Sequence, residues 1–418
     1  MKQCEFPKFG TNWSDLRARM LELRERDVDW RAGRTALHVY YPGDDVLNVA
    51  REAYGMFMME SALAPLAFPS LGEMERELVG AAIALFHGSS NACGSLTSGG
   101  TESIFLALKA ARDWMRVSRP NVAEPFQIVL PRTAHPAFDK AAQYLGIMTI
   151  RVPTAANCNI DVERLFDAMN AGTIMVVASA PNFPYGAVDP ISEIAELALE
   201  RDLWLHVDAC VGGFLAPFAK KLGHFIPDFD FSLPGIRSLS ADLHKYGYAA
   251  KGASLVLFSD RDYSQYQGTE FSDWPKGKYY TPTMLGTRSG GAIAAAWAVL
   301  HYLGEEGYLR LASRVMNVWK AYAARIQRIP ELAIVGTPHL AILSFASVAK
   351  QVDIFAVANE LAENGWYMSK LAEPAGIHQI VNLAHENVID RYFEELESAV
   401  RKVSKHSIRA EDRAVVTY

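Results

Sequence analysis

Cysteine is scarce in this 418-residue chain. The four present, Cys4, Cys93, Cys158 and Cys210, are scattered and form no Cys-x-x-Cys pair. A disulfide framework or a zinc site is therefore not expected, and a reducing cytoplasm suits such usage. Long apolar runs are also missing. The longest, near Ala292 to Leu300, is too short to cross a bilayer and reads as a buried helix. Met1 to Trp13 lacks the charged-then-apolar pattern of a secretory leader. Neither sign of charge dominates: 41 Lys and Arg stand against 47 Asp and Glu, a net of −6. That balance offers no electrostatic footprint for nucleic acid or an anionic membrane. What remains is an ordinary globular composition, half hydrophobic, on a chain long enough for more than one domain.

The most informative stretch is Ser240-Ala241-Asp242-Leu243-His244-Lys245-Tyr246-Gly247-Tyr248. The apolar run Ala253 to Phe258 soon follows and reads as a buried strand. A lysine in such a setting loses its proton more readily than an exposed one. Its neutral amine can then form a Schiff base with an aldehyde or ketone. Taken alone, the window fits a solvated lysine in a turn equally well.

The rest of the chain shifts that balance. Gly94 to Ser103 is small and hydroxylated, with Gly99-Gly100-Thr101-Glu102 just before a helical run from Ile104 to Val117. Backbone N–H groups at such a helix start make an anion site, most plausibly for a phosphate, although an ordinary cap reads the same way. Apolar strands then alternate with helices: Phe126–Leu130, Met148–Val152, Thr173–Ser179 and Leu203–Ala209. The alternation predicts an α/β fold with a mostly parallel sheet covered on both faces. His135, Tyr185, Asp208 and Lys245 end or follow these segments, so they should gather at one sheet edge. Asp208 closes an apolar strand and needs a partner there, for which a protonated ring nitrogen would serve. An anion loop, a histidine, an aspartate and a lysine in this order are together the parts of a pyridoxal phosphate site. Beyond residue 300, helices and short strands predict a smaller α+β domain. The expected division is an N-terminal arm (1–55), a large cofactor-binding domain (56–300) and a small domain (301–418). A helix through Leu16, Met20 and Leu23 in the arm could pack on a second subunit.

These motifs resemble the sphingosine-1-phosphate lyases, a branch of the fold-type I pyridoxal phosphate enzymes that also holds amino-acid decarboxylases. The likeness runs from Val39-Tyr40 through Thr97 to Ser103, Ala134-His135, Pro181 to Gly186, His206 to Phe214 and Ala241 to Tyr248, ending at Gly286-Thr287-Arg288. The resemblance implies that Lys245 carries pyridoxal 5'-phosphate as a Schiff base. Asp208 would hold the ring nitrogen protonated and His135 would stack on the ring. Gly100, Thr101 and His244 would bind the cofactor phosphate. Thr287 would reach the neighbouring subunit's cofactor, implying a homodimer with shared active sites. Tyr40, Lys251 and Arg288 would contact the substrate, a phosphorylated long-chain amine.

The implied reaction is a retro-aldol cleavage to a long-chain aldehyde and phosphoethanolamine, with Tyr185, Lys251 or the cofactor phosphate removing the C3 hydroxyl proton. The chain departs from the family pattern at Ser61 and Ala64, where an asparagine and a histidine are usual, and at Tyr185, which replaces a common histidine. Ser289 stands where a proline is usual, and the chain stops at Tyr418 without the family's Tyr-Gly tail, as a truncated terminus would. The implied location is cytoplasmic, without a transmembrane segment. An amino-acid decarboxylase on the same scaffold is the main alternative. A non-catalytic binding protein is a third, disfavoured by the presence of Lys245, Asp208 and His135 together.

Overall fold

Branched apolar residues recur in short runs along the first two-thirds of the chain, and in the computed structural model they form a seven-stranded sheet. Residues 5–410 are described; Cys4 and the chain end at Tyr418 lie outside them. The strands are Cys93–Thr97 (β1), Gln127–Pro131 (β2), Met148–Val152 (β3), Thr173–Ser179 (β4), Trp204–Asp208 (β5), Ile236–Ala241 (β6) and Ser254–Phe258 (β7). Their order is β1-β7-β6-β5-β4-β2-β3. The pairings among β2 to β6 are parallel. β7 is antiparallel to both of its neighbours.

Alternate residues feed opposite cores, as the two-residue period of a strand demands. Val176 and Ala178 face one core, Met175 and Val177 the other. On one face pack the helices Gly100–Ser118 and Ala137–Leu145, through Ile104, Leu108 and Phe138. The other face joins the larger core, which continues into the C-terminal part. The expected mostly parallel, doubly covered sheet is therefore present.

One expectation changes. The hydroxylated stretch before the first large helix divides into a strand, β1, and a helix that already starts at Gly100. The helix read near Ala292 and the helical chain beyond residue 300 are two helices meeting at a kink at Gly304 within Gly290–Ile326. Gly304 has φ 53° and ψ −174°, a region open essentially to glycine alone. A hairpin, Thr269–Phe271 (β8) with Tyr279–Thr281 (β9), precedes this helix. After it come Leu332–Ile334 (β10), Ile342–Ser347 (β11), Ser369–Leu371 (β12) and Gly376–Ile380 (β13), an antiparallel sheet in the order β10-β11-β13-β12. The helices Ile354–Glu363 and Ile389–His406 complete this smaller α+β unit.

Parallel strands end together. Ser179, Asp208 and Ser240 are in register at the carboxyl edge of β4, β5 and β6. The segments leaving this edge carry the residues singled out above.

Candidate active site

The turn between β6 and β7 holds Lys245. Its Nζ lies 3.0 Å from Asp242 Oδ2, and Asp242 is 2% exposed at its side chain. Burial pulls the ammonium toward neutrality. The Asp242 carboxylate beside it, helped by Asp208, outweighs that pull and raises the lysine above its ordinary value. Asp242 moves the opposite way: burial favours its neutral form, but Lys245 and then His244 hold it below the usual carboxylate range. His244 accepts from the Ala253 N–H through Nδ1 at 3.2 Å, so Nε2 carries any proton and faces Asp242 at 3.6 Å. Tyr246, fully buried, donates to the Val381 carbonyl at 2.6 Å and so ties the lysine turn to the chain just past β13.

Asp208, at the end of β5, is fixed rather than loose. Its Oδ1 accepts from the Cys210 N–H at 3.0 Å and from Ser240 Oγ at 3.4 Å. His135 follows β2; its Nδ1 accepts from the Ala137 N–H at 3.1 Å, which sets the ring's tilt. Burial lowers the His135 imidazole, keeping it neutral, with Asp208 opposing.

The helix starting at Gly100 aims its first turn at this group. A Cβ on Gly100 would lie 2.7 Å from Cys210 Sγ and 3.0 Å from Asp242 Oδ1, so only glycine fits. Glu102 is a brace. Its Oε2 accepts from the Ser98 N–H and hydroxyl, both at 2.7 Å, and its Oε1 accepts from Met284 N at 2.9 Å and Leu285 N at 3.1 Å. The glycine loop is thereby locked to the segment leading to Thr287.

Tyr40, Gly100, Thr101, His135, Asp208, His244, Lys245 and Lys251 all line one cavity of about 780 Å³, within the usual size of ligand and cofactor sites. Lys251 Nζ stands 5.2 Å from the centre of the Tyr40 ring and donates to the His244 carbonyl at 3.3 Å. Although the residue remains exposed, its ammonium is pushed down to about 8, by surrounding protein atoms first and by the Lys245 charge second.

Three expected residues lie elsewhere. Tyr185 donates its hydroxyl to the Glu373 carbonyl and is not part of the cavity wall; of the side chains considered for the C3 proton, Lys251 is the one in that wall. Thr287 and Arg288 line a neighbouring cavity of about 490 Å³, together with Ser61, Met58 and Met59. Lys251 and Ser98 border both cavities. Arg288 is buried and pairs with Glu75 at 2.6 Å while donating to the Leu96 carbonyl at 3.0 Å. Sequence reasoning passed over Asp242 and His38, which also line the larger cavity. Asp242 follows β6, whose alternating serines hide the strand it closes.

Comparison with known proteins gives the family. The pyridoxal-dependent decarboxylase conserved domain matches residues 37–348. Sphingosine-1-phosphate lyase from Oryza sativa is 39% identical over 389 residues, covering 91% of this chain and 71% of that protein. Sphingosine-1-phosphate lyase 1 from Rattus norvegicus is 37% identical over 403 residues, covering 96% and 70%. The solved sphingosine-1-phosphate lyase of Burkholderia pseudomallei superposes with a TM-score of 0.91 at 37% identity, over 97% of this chain and 94% of that one. Glutamate decarboxylase from Lactobacillus brevis, with a TM-score of 0.85 at 18% identity, shares the fold alone.

Fold and domain match define a pyridoxal phosphate-dependent lyase with the decarboxylase architecture. Within that class, the chain belongs to the sphingosine-1-phosphate lyase family. The residues present fit the cofactor. Gly100 leaves a cradle that one methyl group would fill, at the start of a helix. A lysine and a fixed carboxylate line the same cavity.

Proposed function

We propose that this chain cleaves phosphorylated sphingoid bases between C2 and C3, releasing a long-chain aldehyde and phosphoethanolamine. The observation that carries the reading is the Lys251–Tyr40 pair on the wall of the cavity that holds Lys245. A cation and a phenol hydroxyl suit a phosphate, which an amino-acid substrate would not bring.

Lys245 would hold pyridoxal phosphate through Nζ, with His135 against the ring and Gly100, Thr101 and His244 around its phosphate. Bound there, the cofactor supplies an electron sink for the pair released when a bond to C2 breaks. Asp208, aimed by Cys210 and Ser240, would keep the ring nitrogen protonated. Lys251 and Tyr40 would hold the substrate phosphate and so fix which bond at C2 stands perpendicular to the ring. Arg288, paired with Glu75, would act by holding the Thr287 segment rather than by touching substrate.

We further propose a homodimer in which Thr287 completes the partner's site. The helix Trp13–Arg24 buries none of its residues, Met59 on the wall of the second cavity is 85% exposed and Leu66 is 99% exposed, which supports a subunit covering them. No helix among the described residues is long and apolar enough to cross a membrane, and we take the protein to be cytoplasmic. The proposed division remains 1–55, 56–300 and 301–418; the break at Gly304 lies close to the second boundary and supports it.

The test is mass spectrometry of products from sphingosine-1-phosphate and the pyridoxal phosphate-loaded protein, with Lys245→Ala as control. Long-chain aldehyde and phosphoethanolamine from the wild type alone are expected. Carbon dioxide from amino acids, without aldehyde, would replace this reading with a decarboxylase.

A further inference from the structure

Arg151 belongs to none of the groups assigned so far. It sits in β3, an edge strand, opposite Leu130 of β2. Its guanidinium turns back over the end of β2 and gathers the carbonyls of the segment that carries His135. NH1 donates to the carbonyls of Pro131 at 3.2 Å, Arg132 at 3.0 Å and Ala134 at 3.1 Å; NH2 donates to Ala134 at 3.1 Å. NH2 also pairs with Asp139 Oδ2, and Nε donates to Asp139 Oδ1 at 3.3 Å. Asp139 lies in the helix Ala137–Leu145, which begins two residues after His135.

One planar cation thus grips the chain on both sides of His135, through three carbonyls before it and a carboxylate after it. The Ala137 N–H that sets the His135 tilt lies inside this grip. A turn leaving a sheet edge has few backbone partners of its own, and five fixed donors in a plane suit several carbonyls at once. Lysine, a single point charge, cannot reproduce that fork. The side chain of Arg151 is 27% exposed, so its hydrogen bonds are only partly diluted by water.

We propose that Arg151 is a positioning residue for the cofactor: it fixes the height and tilt of the His135 ring, and so how firmly pyridoxal phosphate seats. The inference rests on the reading of His135 as the residue stacked on that ring. A misplacement of about 1 Å in such a supporting group can cost on the order of a hundredfold.

The test is a double-mutant cycle on cofactor binding with Arg151→Lys, His135→Ala and the double variant. The apoproteins are titrated with pyridoxal phosphate and followed by visible absorbance and circular dichroism. Arg151→Lys is expected to raise the cofactor Kd about tenfold, as loss of a group that orients a ligating side chain does, and to weaken the dichroic band. Combined with His135→Ala it should add almost nothing, because the two act through one ring. Effects that add in full would overturn the role of Arg151 and leave His135 intact. An unchanged Kd in His135→Ala would instead remove His135 from the ring and the inference with it. Should Arg151→Lys not accumulate as folded protein, Asp139→Asn loosens the same grip from its other end and completes the same cycle, with the same two outcomes.

Discussion

Lys245 Nζ and Asp242 Oδ2 lie 3.0 Å apart, three residues from each other in one turn and both walled into the cavity. The pair stores the reactive lysine in its charged form. Asp242→Asn removes the largest of the charges that raise Lys245 and lets burial count for more against the rest. The apoprotein variant should react with pyridoxal at lower pH than the wild type. Rates of imine formation followed by absorbance across pH 7 to 10 check this; an unshifted profile would show that Asp242 does not govern the amine.

Lys251 carries a pH prediction. With its ammonium pushed down to about 8, it is charged below that pH and neutral above it. If it holds the substrate phosphate, KM for sphingosine-1-phosphate should climb as pH rises through 8. Lys251→Arg keeps its charge and should flatten that rise. Lys251→Ala should raise KM at neutral pH roughly tenfold, about 1.4 kcal/mol, with the visible band of the lysine-bound cofactor retained.

Gly100→Ala probes the cradle. Its methyl would meet Cys210 Sγ and Asp242 in the floor of the cavity. The variant should fold, since position 100 is helical, yet bind pyridoxal phosphate at least tenfold more weakly by titration of the apoprotein. Wild-type affinity would mean that the phosphate lies elsewhere.

Acid should destabilise the fold. Burial lowers His206, His378 and His385 to about 4 from an ordinary 6.5. The unfolded chain takes up their protons first, so the stability they confer is present above 6.5 and lost as pH falls toward 4. Asp189 opposes them. Burial raises it to about 7, against N–H donors from Ser179 and Ile160, so its contribution is greatest below 3.8 and fades as pH rises through 7. Three groups outnumber one, and the urea midpoint should fall between pH 7 and pH 5. Asp189→Asn removes the opposing group and should steepen that fall.

Much of the site was legible because strand ends announce themselves. Asp208 closes an apolar run in which a charge is conspicuous, and Lys245 lies in the short turn before another. What was hidden was hidden by hydrogen bonding or by direction. β6 alternates serines with apolar residues and was not read as a strand. Ser238 is nonetheless buried, accepting from Trp204 Nε1 at 2.7 Å and lying 2.8 Å from His206 Nδ1, a partnership no local window reveals. β7 was read as a strand, but apolar composition carries no sign of its antiparallel course. Arg151 was invisible because its partners are carbonyls, which every residue has. The substrate-facing residues divided: Tyr40 and Lys251 reach the main cavity, while Arg288 is committed to Glu75.

The sheet order has a consequence for how the protein is made. β1, which leads into the glycine loop, sits at the sheet edge with β7 as its one strand partner. Emerging from the ribosome, residues 93–103 must therefore wait for residues 254–258 before they find their place. By then the lysine turn, which lies between β6 and β7, has also been synthesised. Both ends of the cofactor pocket close in the same late event, so a nascent chain has nowhere to seat pyridoxal phosphate until well past its midpoint.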